Sequence, residues 1–198
     1  MTRFLAILLV TFWLSLSLHA QEHTTKRPPT PTPTPYVRPT PAPTAGTAEN
    51  GGWVRFNSVA GRFSVLMPET PEDKAETTPS DHGPYTTHLF VVRDTSNVYL
   101  IGWVDYDPSF NFNRQAELEA NRDNFVKGIS ATLTSTHPMT IDGYQVIEFT
   151  ADTADRTFKS RVYMVGRRPY QIVIGYPKGE SEAAPIDKFF NSFKVKVQ

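Results

Sequence analysis

The chain has no cysteine, no excess of charge of either sign, and no apolar run long enough to cross a bilayer comfortably. The absence of Cys among 198 residues excludes disulfides, thiolate metal sites, a cysteine nucleophile and a lipid-modified cysteine anchor. Basic and acidic side chains number 20 each, and residues 51–198 alone hold 16 basic and 18 acidic groups. A domain so close to neutrality lacks the basic footprint of a nucleic-acid binder. No Gly-x-Ser-x-Gly elbow, Ser-x-x-Lys nucleophile or phosphate-cradling glycine loop occurs. Stability without disulfides then requires a substantial hydrophobic core.

What is present falls into three materials. Met1-Thr2-Arg3 is a short basic start, Phe4 to Leu18 is a 15-residue, mostly apolar run, and Leu18-His19-Ala20 ends on a small residue before Gln21. That order is the anatomy of a secretory signal peptide over residues 1–20. The run is shorter than the ~20 apolar residues of a membrane span. Leu18 is larger than the residue usual three positions before a cleavage site, which keeps an uncleaved anchor as the alternative. Either way the rest of the chain is expected outside the cytoplasm, secreted or periplasmic.

Residues 21–51 read as a disordered Pro/Thr-rich linker. Eight of the 17 prolines lie between Pro28 and Pro43. Pro fixes φ, lacks a donor and pushes its predecessor toward extended geometry. With little apolar surface to bury, the segment is expected to stay polyproline II-like, at about 3.1 Å per residue. It is a tether or an acceptor of sugars on Thr, or a leader without a partner.

Residues 52–198 carry the globular domain. Trp53–Phe56 and Arg62–Met67 read as strands around Ala60-Gly61, and the polar residues 72–84 as a loop. Thr86–Arg93 and Val98–Tyr106 pair across Asp94–Asn97. Val98, Leu100 and Val104 alternate with Tyr99, Ile101 and Trp103, so this strand is buried on both faces. Asn113 is placed to cap a helix striped by Leu118, Phe125 and Ile129 and ending at Lys127-Gly128. Four strands follow: Ala131–Ile141 meets Tyr144–Ala151 through Asp142-Gly143, and Thr157–Val165 meets Tyr170–Tyr176 through Gly166–Pro169. A last helix starts near Pro185, with Ile186, Phe189, Phe190 and Phe193 on one face. Lys194–Val197 is read as an edge strand. Runs of hairpins rather than βαβ units predict an α+β domain: a mostly antiparallel sheet flanked by helices on both faces.

The string Gly61-Arg62-Phe63-Ser64-Val65-Leu66-Met67-Pro68 resembles the opening strand of the PsbP-like fold family, named for an extrinsic protein of photosystem II. Asp142-Gly143-Tyr144, the turn at Asp152–Asp155, the hairpin at Gly166–Pro169 and Lys188-Phe189-Phe190-Asn191-Ser192-Phe193 continue the likeness. Secreted bacterial proteins of unknown role are more similar than the photosynthetic member. The resemblance covers residues 52–198 and implies an α/β/α sandwich with an accessory or binding role. No photosystem or metal role is carried over, because no ligand set matches positions here.

Chemistry-bearing residues are sparse. His82, His88 and His137 are scattered without metal spacing and are read as surface histidines. Asp105-Tyr106-Asp107-Pro108-Ser109 begins like a calcium loop, but Phe110 stands at the sixth position and Ala116 at the twelfth, where Gly and Glu are required. Glu148 is expected to pair with Arg161 on a neighbouring strand, since a lone carboxylate has no second group for acid–base work. Trp103, Tyr106, Phe110 and Phe112 gather at one strand end: a ligand or partner surface, or a cap of the core beneath the next helix. Catalytic, cofactor-binding and metal residues are assigned to none. The expected function is a monomeric, exported, non-enzymatic binding or accessory domain with an unknown protein or cell-envelope partner, no nucleic acid, no cofactor, and membrane contact only through an uncleaved signal. The alternatives are an extracytoplasmic hydrolase with a site assembled from distant residues, or a carbohydrate-binding module.

Overall fold

The computed structural model describes residues 44–48, 52–80, 83–111, 113–180 and 183–196. The signal segment, the linker apart from residues 44–48, His82 and Phe112 lie outside the described residues.

Eleven strands and two helices are described: β1 (Thr44–Ala48), β2 (Val54–Ser58), β3 (Phe63–Met67), β4 (Glu72–Thr78), β5 (Tyr85–Arg93), β6 (Val98–Tyr106), α1 (Arg114–Gly128), β7 (Thr132–Ile141), β8 (Tyr144–Asp152), β9 (Arg156–Val165), β10 (Arg168–Pro177), α2 (Ala183–Ser192) and β11 (Lys194–Val195). They form a four-stranded sheet, β1-β2-β3-β11, and a seven-stranded sheet, β4-β5-β6-β10-β9-β8-β7. The described pairings are all antiparallel. The α+β class with an antiparallel sheet is therefore as expected.

Two edge strands depart from the sequence reading. The polar stretch read as a loop contains β4, which pairs with β5 from Glu72↔Val91 to Thr78↔Tyr85. The Thr77 and Thr86 hydroxyls meet at 2.9 Å across that pair. An edge strand needs backbone pairing on one side only, and charged residues suit it because they discourage further pairing. Residues Thr44–Ala48, placed in the linker, pair with β2 as β1. Backbone hydrogen bonds hold such a strand without an apolar pattern to announce it.

The turns follow their sequence. Asp142 (φ 50°) and Gly143 (φ 82°) are both left-handed, which the two-residue β7–β8 hairpin requires. The β9–β10 turn is tighter than expected, because Arg168 and Pro169 already belong to β10. Asn113 caps α1: its side chain accepts from the Gln115 and Ala116 N–H groups at 2.9 and 3.2 Å.

Buried residues form two clusters. The first joins Phe56, Phe63, Val65 and Met67 of the small sheet to Tyr99, Ile101, Trp103, Ile172 and Ile174 and to Ile186, Phe189, Phe190 and Phe193. The second joins Val98, Leu100, Phe149, Phe158 and Val173 to Leu118 and Phe125 of α1. Consecutive β6 residues thus divide between the clusters, as the doubly apolar pattern predicts. Among the described residues no helix is long and apolar enough to cross a membrane.

Candidate functional site

Where the small sheet meets the large one, the β2–β3 turn is held by donors from distant strands. Gly61 N–H donates to Ser58 Oγ at 2.9 Å, and Arg62 N–H to the Val59 carbonyl at 3.2 Å. Tyr170 Oη donates to the Gly61 carbonyl at 2.8 Å, Arg168 Nη1 to the Ala60 carbonyl at 2.9 Å, and Lys196 N–H to the Arg62 carbonyl at 2.7 Å. A Cβ on Gly61 would fall 2.5 Å from the Phe63 ring, so only glycine lets this turn close on the core. That requirement accounts for Gly61-Arg62-Phe63 at the start of β3.

Beside this turn opens a cleft of about 300 Å³. Arg62, Arg168 and Lys196 give it three cations, Tyr144 and Tyr170 two aromatic rings, and Val165 and Val195 the remaining wall. Among the described residues no carboxylate lines it. The three cations differ in their partners. Arg168 donates from Nε to Asp105 Oδ1 at 2.7 Å and places Nη2 2.5 Å from the same oxygen. Lys196 Nζ donates to the neutral Asn57 Oδ1 at 2.9 Å. The Arg62 guanidinium is exposed and has no hydrogen bond or ion pair among the described residues.

Behind Arg168 runs a polar chain that leads from the half-buried Asp105 to the buried Trp103 and His88. Trp103 Nε1 donates to Asp105 Oδ2 at 3.1 Å, and His88 stacks on the Trp103 ring at 4.2 Å and 6°. His88 Nε2 lies 3.6 Å from Asp105 Oδ2. Burial opposes ionisation of Asp105, but the His88 contact, the Arg168 charge and the Trp103 N–H outweigh it and hold the carboxyl below its ordinary range. Burial raises the Tyr170 hydroxyl pKa, against the pull of Arg168.

The structure brings together His88, Trp103 and Asp105, which the sequence singled out separately, but it does not gather the described aromatic candidates into one surface. His88, read as a surface histidine, is 8% exposed and forms the buried end of this chain. A short polar strand residue looks exposed in sequence, but its face here is covered through Trp103. A His beside a carboxylate is half of an acid–base relay, yet His88 Nδ1 is buried with no hydrogen-bond partner. No nucleophile can reach it there. Trp103 is 1% exposed and lies in the first core cluster. Tyr106, three residues on, points the other way. It stacks on Phe110 at 4.5 Å, and its hydroxyl donates to Glu117 Oε1 of α1. Glu117 is 4% exposed and also accepts from Asn121 Nδ2 at 2.9 Å. Tyr106 and Phe110 are thus half-buried, with Tyr106 tied to α1, and the candidate four-ring surface splits between two faces, with Phe112 outside the described residues.

Glu148 behaves as expected: it faces Arg161 in the β8–β9 register and accepts from Arg161 Nε at 2.7 Å, with Lys159 Nζ at 3.1 Å. Asp107 accepts from Ser109 N–H at 2.9 Å and from its hydroxyl at 2.6 Å, so the calcium-like string closes on itself as a turn. Among the described residues no three His, Asp or Glu side chains gather as a metal site. Sequence reasoning missed Arg62, Tyr144, Arg168, Tyr170 and Lys196. Arg62 and Tyr144 stood in strings noted for fold, and the Arg167-Arg168 pair at a hairpin tip was the one local hint of positive charge.

No family model matches the chain, and no curated protein matches it. Among solved structures, a crystal structure from Bacteroides thetaiotaomicron is 14% identical, with 69% of this chain and 46% of that one covered and a TM-score of 0.38. The solution structure of cyanobacterial PsbP (CyanoP) from Synechocystis sp. PCC 6803 is 11% identical, with 78% of this chain and 99% of that one covered and a TM-score of 0.51. The chain has a PsbP-like fold.

Proposed function

We propose that this protein is an exported, non-enzymatic binding or accessory domain that works through the cleft between its two sheets. The observation that carries the reading is the cleft itself, whose described lining has cations and aromatic walls but no serine, histidine or carboxylate to act as a nucleophile with its base. The best catalytic fragment elsewhere, His88 beside Asp105, is sealed at Nδ1. A binding site needs a concave wall with a few convergent polar groups, and that is what lines the cleft. A carbohydrate-binding role loses support, because its aromatic row is divided between two faces of β6 and because Trp103 is buried.

The same reading takes α1 and α2 as covers on opposite faces of the seven-stranded sheet, an α/β/α sandwich. It takes residues 1–20 as a signal peptide, the Pro/Thr-rich segment as the tether, and the location as secreted or periplasmic. The domain acts as a monomer without nucleic acid.

The test is turnover. Purified protein is offered a panel of ester, phosphate, peptide and glycoside substrates, with metal analysis alongside. The expected result is no rate above buffer. A rate that His88→Gln or Asp105→Asn abolishes overturns the reading.

A further inference from the structure

We propose that the cleft receives a small organic oxyanion, a carboxylate or phosphate head on a short apolar body. The inference rests on the binding reading above and names its ligand class.

The charges make the case first. Neighbouring acids are already committed: Asp105 to Arg168, and Asp142, on the hairpin that leads into Tyr144, to Lys194 at 2.9 Å. Among the described residues Arg62 and Lys196 have no carboxylate partner, and none lines the cleft. Two uncompensated cations beside a third, ion-paired one set up a positive potential in a concave wall that concentrates field. A guanidinium and an ammonium supply the charge-assisted donors that oxyanions take, the guanidinium in a planar fork.

The backbone makes the case second. Arg62 sits at φ 52°, a conformation that glycine adopts without cost and a long side chain does not. Its position is fixed from both sides, by its own N–H to Val59 and by the Lys196 N–H to its carbonyl. The same hydrogen bond ties the two cation-bearing residues into one unit. A strained residue held by its surroundings and carrying an unpaired charge is the pattern found at ligand clamps.

Size and lining set the rest of the ligand. About 300 Å³ is the lower end of small-molecule pockets and holds one compact group. Tyr144, Tyr170, Val165 and Val195 offer apolar surface to a body, which a bare inorganic ion would leave unused.

The experiment titrates the full chain with benzoate, phenyl phosphate, inorganic phosphate and neutral benzyl alcohol, followed by calorimetry and by tyrosine ring shifts in NMR spectra. Benzoate or phenyl phosphate should bind one-to-one, with whichever head binds tighter identifying the natural one. Benzyl alcohol and inorganic phosphate should bind at least about tenfold more weakly, the worth of one charge-assisted hydrogen bond. Arg62→Gly suits the left-handed backbone and keeps the fold, so its expected loss of about tenfold or more reports the guanidinium alone. Lys196→Met should lose a similar factor, and Lys178→Met, remote on the surface, none. Absence of saturable binding of either aromatic anion refutes the proposal. So does equal binding of benzyl alcohol, or binding untouched by both cleft substitutions. Failure here leaves the non-enzymatic reading standing, whereas turnover in the substrate panel defeats that reading whatever the anions do.

Discussion

Removing the charge of Glu148 tests the electrostatic account of the large sheet. Glu148 bridges Lys159 and Arg161, which sit two residues apart on the same face of β9, and Arg161 in turn lies 4.8 Å over the Phe190 ring of α2. The carboxylate side chain is 15% exposed, against 18% for Arg161 and 30% for Lys159. Breaking a fully buried pair costs about 3–5 kcal/mol and an exposed one about 0–1, so this half-shielded bridge belongs between them. Glu148→Gln should cost about 2 kcal/mol at pH 7, because the amide keeps a neutral hydrogen bond but leaves two cations facing each other. Burial works against the charge of Glu148, and the hydrogen bonds and charges of Arg161 and Lys159 overcome it, so the folded pKa lies below the ordinary value. A carboxyl depressed on folding contributes its stability above the unfolded pKa, about 4.3, and loses it as the pH falls through the folded one. The difference between wild type and variant should thus be full at pH 6–8 and shrink from about pH 5 downward. Urea unfolding at a series of pH values reads it, and with a slope near 2 kcal/mol per M the midpoints should differ by about 1 M at neutral pH. A difference under about 0.5 kcal/mol at pH 7, or one that stays constant down to pH 3, refutes the reasoning.

Phe189→Ala should cost about 3–5 kcal/mol in urea unfolding, since the ring is fully buried and packs edge-on against Tyr99 at 5.3 Å; a loss under about 1 kcal/mol would mean that α2 presents another face to the core. Gly102→Ala should cost about 1–3 kcal/mol, because the new Cβ would lie 2.7 Å from the His88 carbonyl oxygen on the paired strand, and backbone there cannot step aside; an unchanged midpoint would contradict that close approach. A chain starting at Thr44 should melt with the full protein, and one starting at Gly52 should melt a few degrees lower, since it loses β1 from the edge of the small sheet; equal melting of all three would show that β1 adds nothing.

Most of the fold was legible because it rests on local or periodic signals. Asp142-Gly143 specifies a two-residue hairpin through its backbone preferences, Asn113 offers its side-chain oxygen to the first turn of α1, and the phenylalanines of α2 repeat at helical spacing. Glu148 and Arg161 could be matched because two strands joined by a short turn fix which residues face each other. The strands β1 and β4 were not legible, since an edge held by backbone pairing carries no apolar alternation. His88 was misread because its burial comes from stacking on a residue of the next strand, which depends on register and rotamer rather than on its own neighbours in sequence.

The cleft was hidden for a stronger reason. Its residues come from the β2–β3 turn, the start of β8, the β9–β10 hairpin and the chain at β11 and just after it, and only Val165, Arg168 and Tyr170 on the one hand and Val195 and Lys196 on the other lie close together in sequence. Composition could not reveal it either, because the domain is nearly neutral. What makes a positive site is the assignment of partners by the fold. Asp105 goes to Arg168, Asp142 to Lys194, Glu148 to Lys159 and Arg161, and Asp152 to Lys178 at 3.4 Å. Of the three cations at the cleft, Arg62 and Lys196 have no carboxylate partner among the described residues, and one backbone hydrogen bond joins them. A salt-bridge census therefore says more about this site than the net charge does. It also separates two arginines that the sequence treats alike: Arg168, neutralised by Asp105 and tied to the Ala60 carbonyl, fixes the wall, while Arg62, held in a left-handed turn, keeps its charge for a ligand.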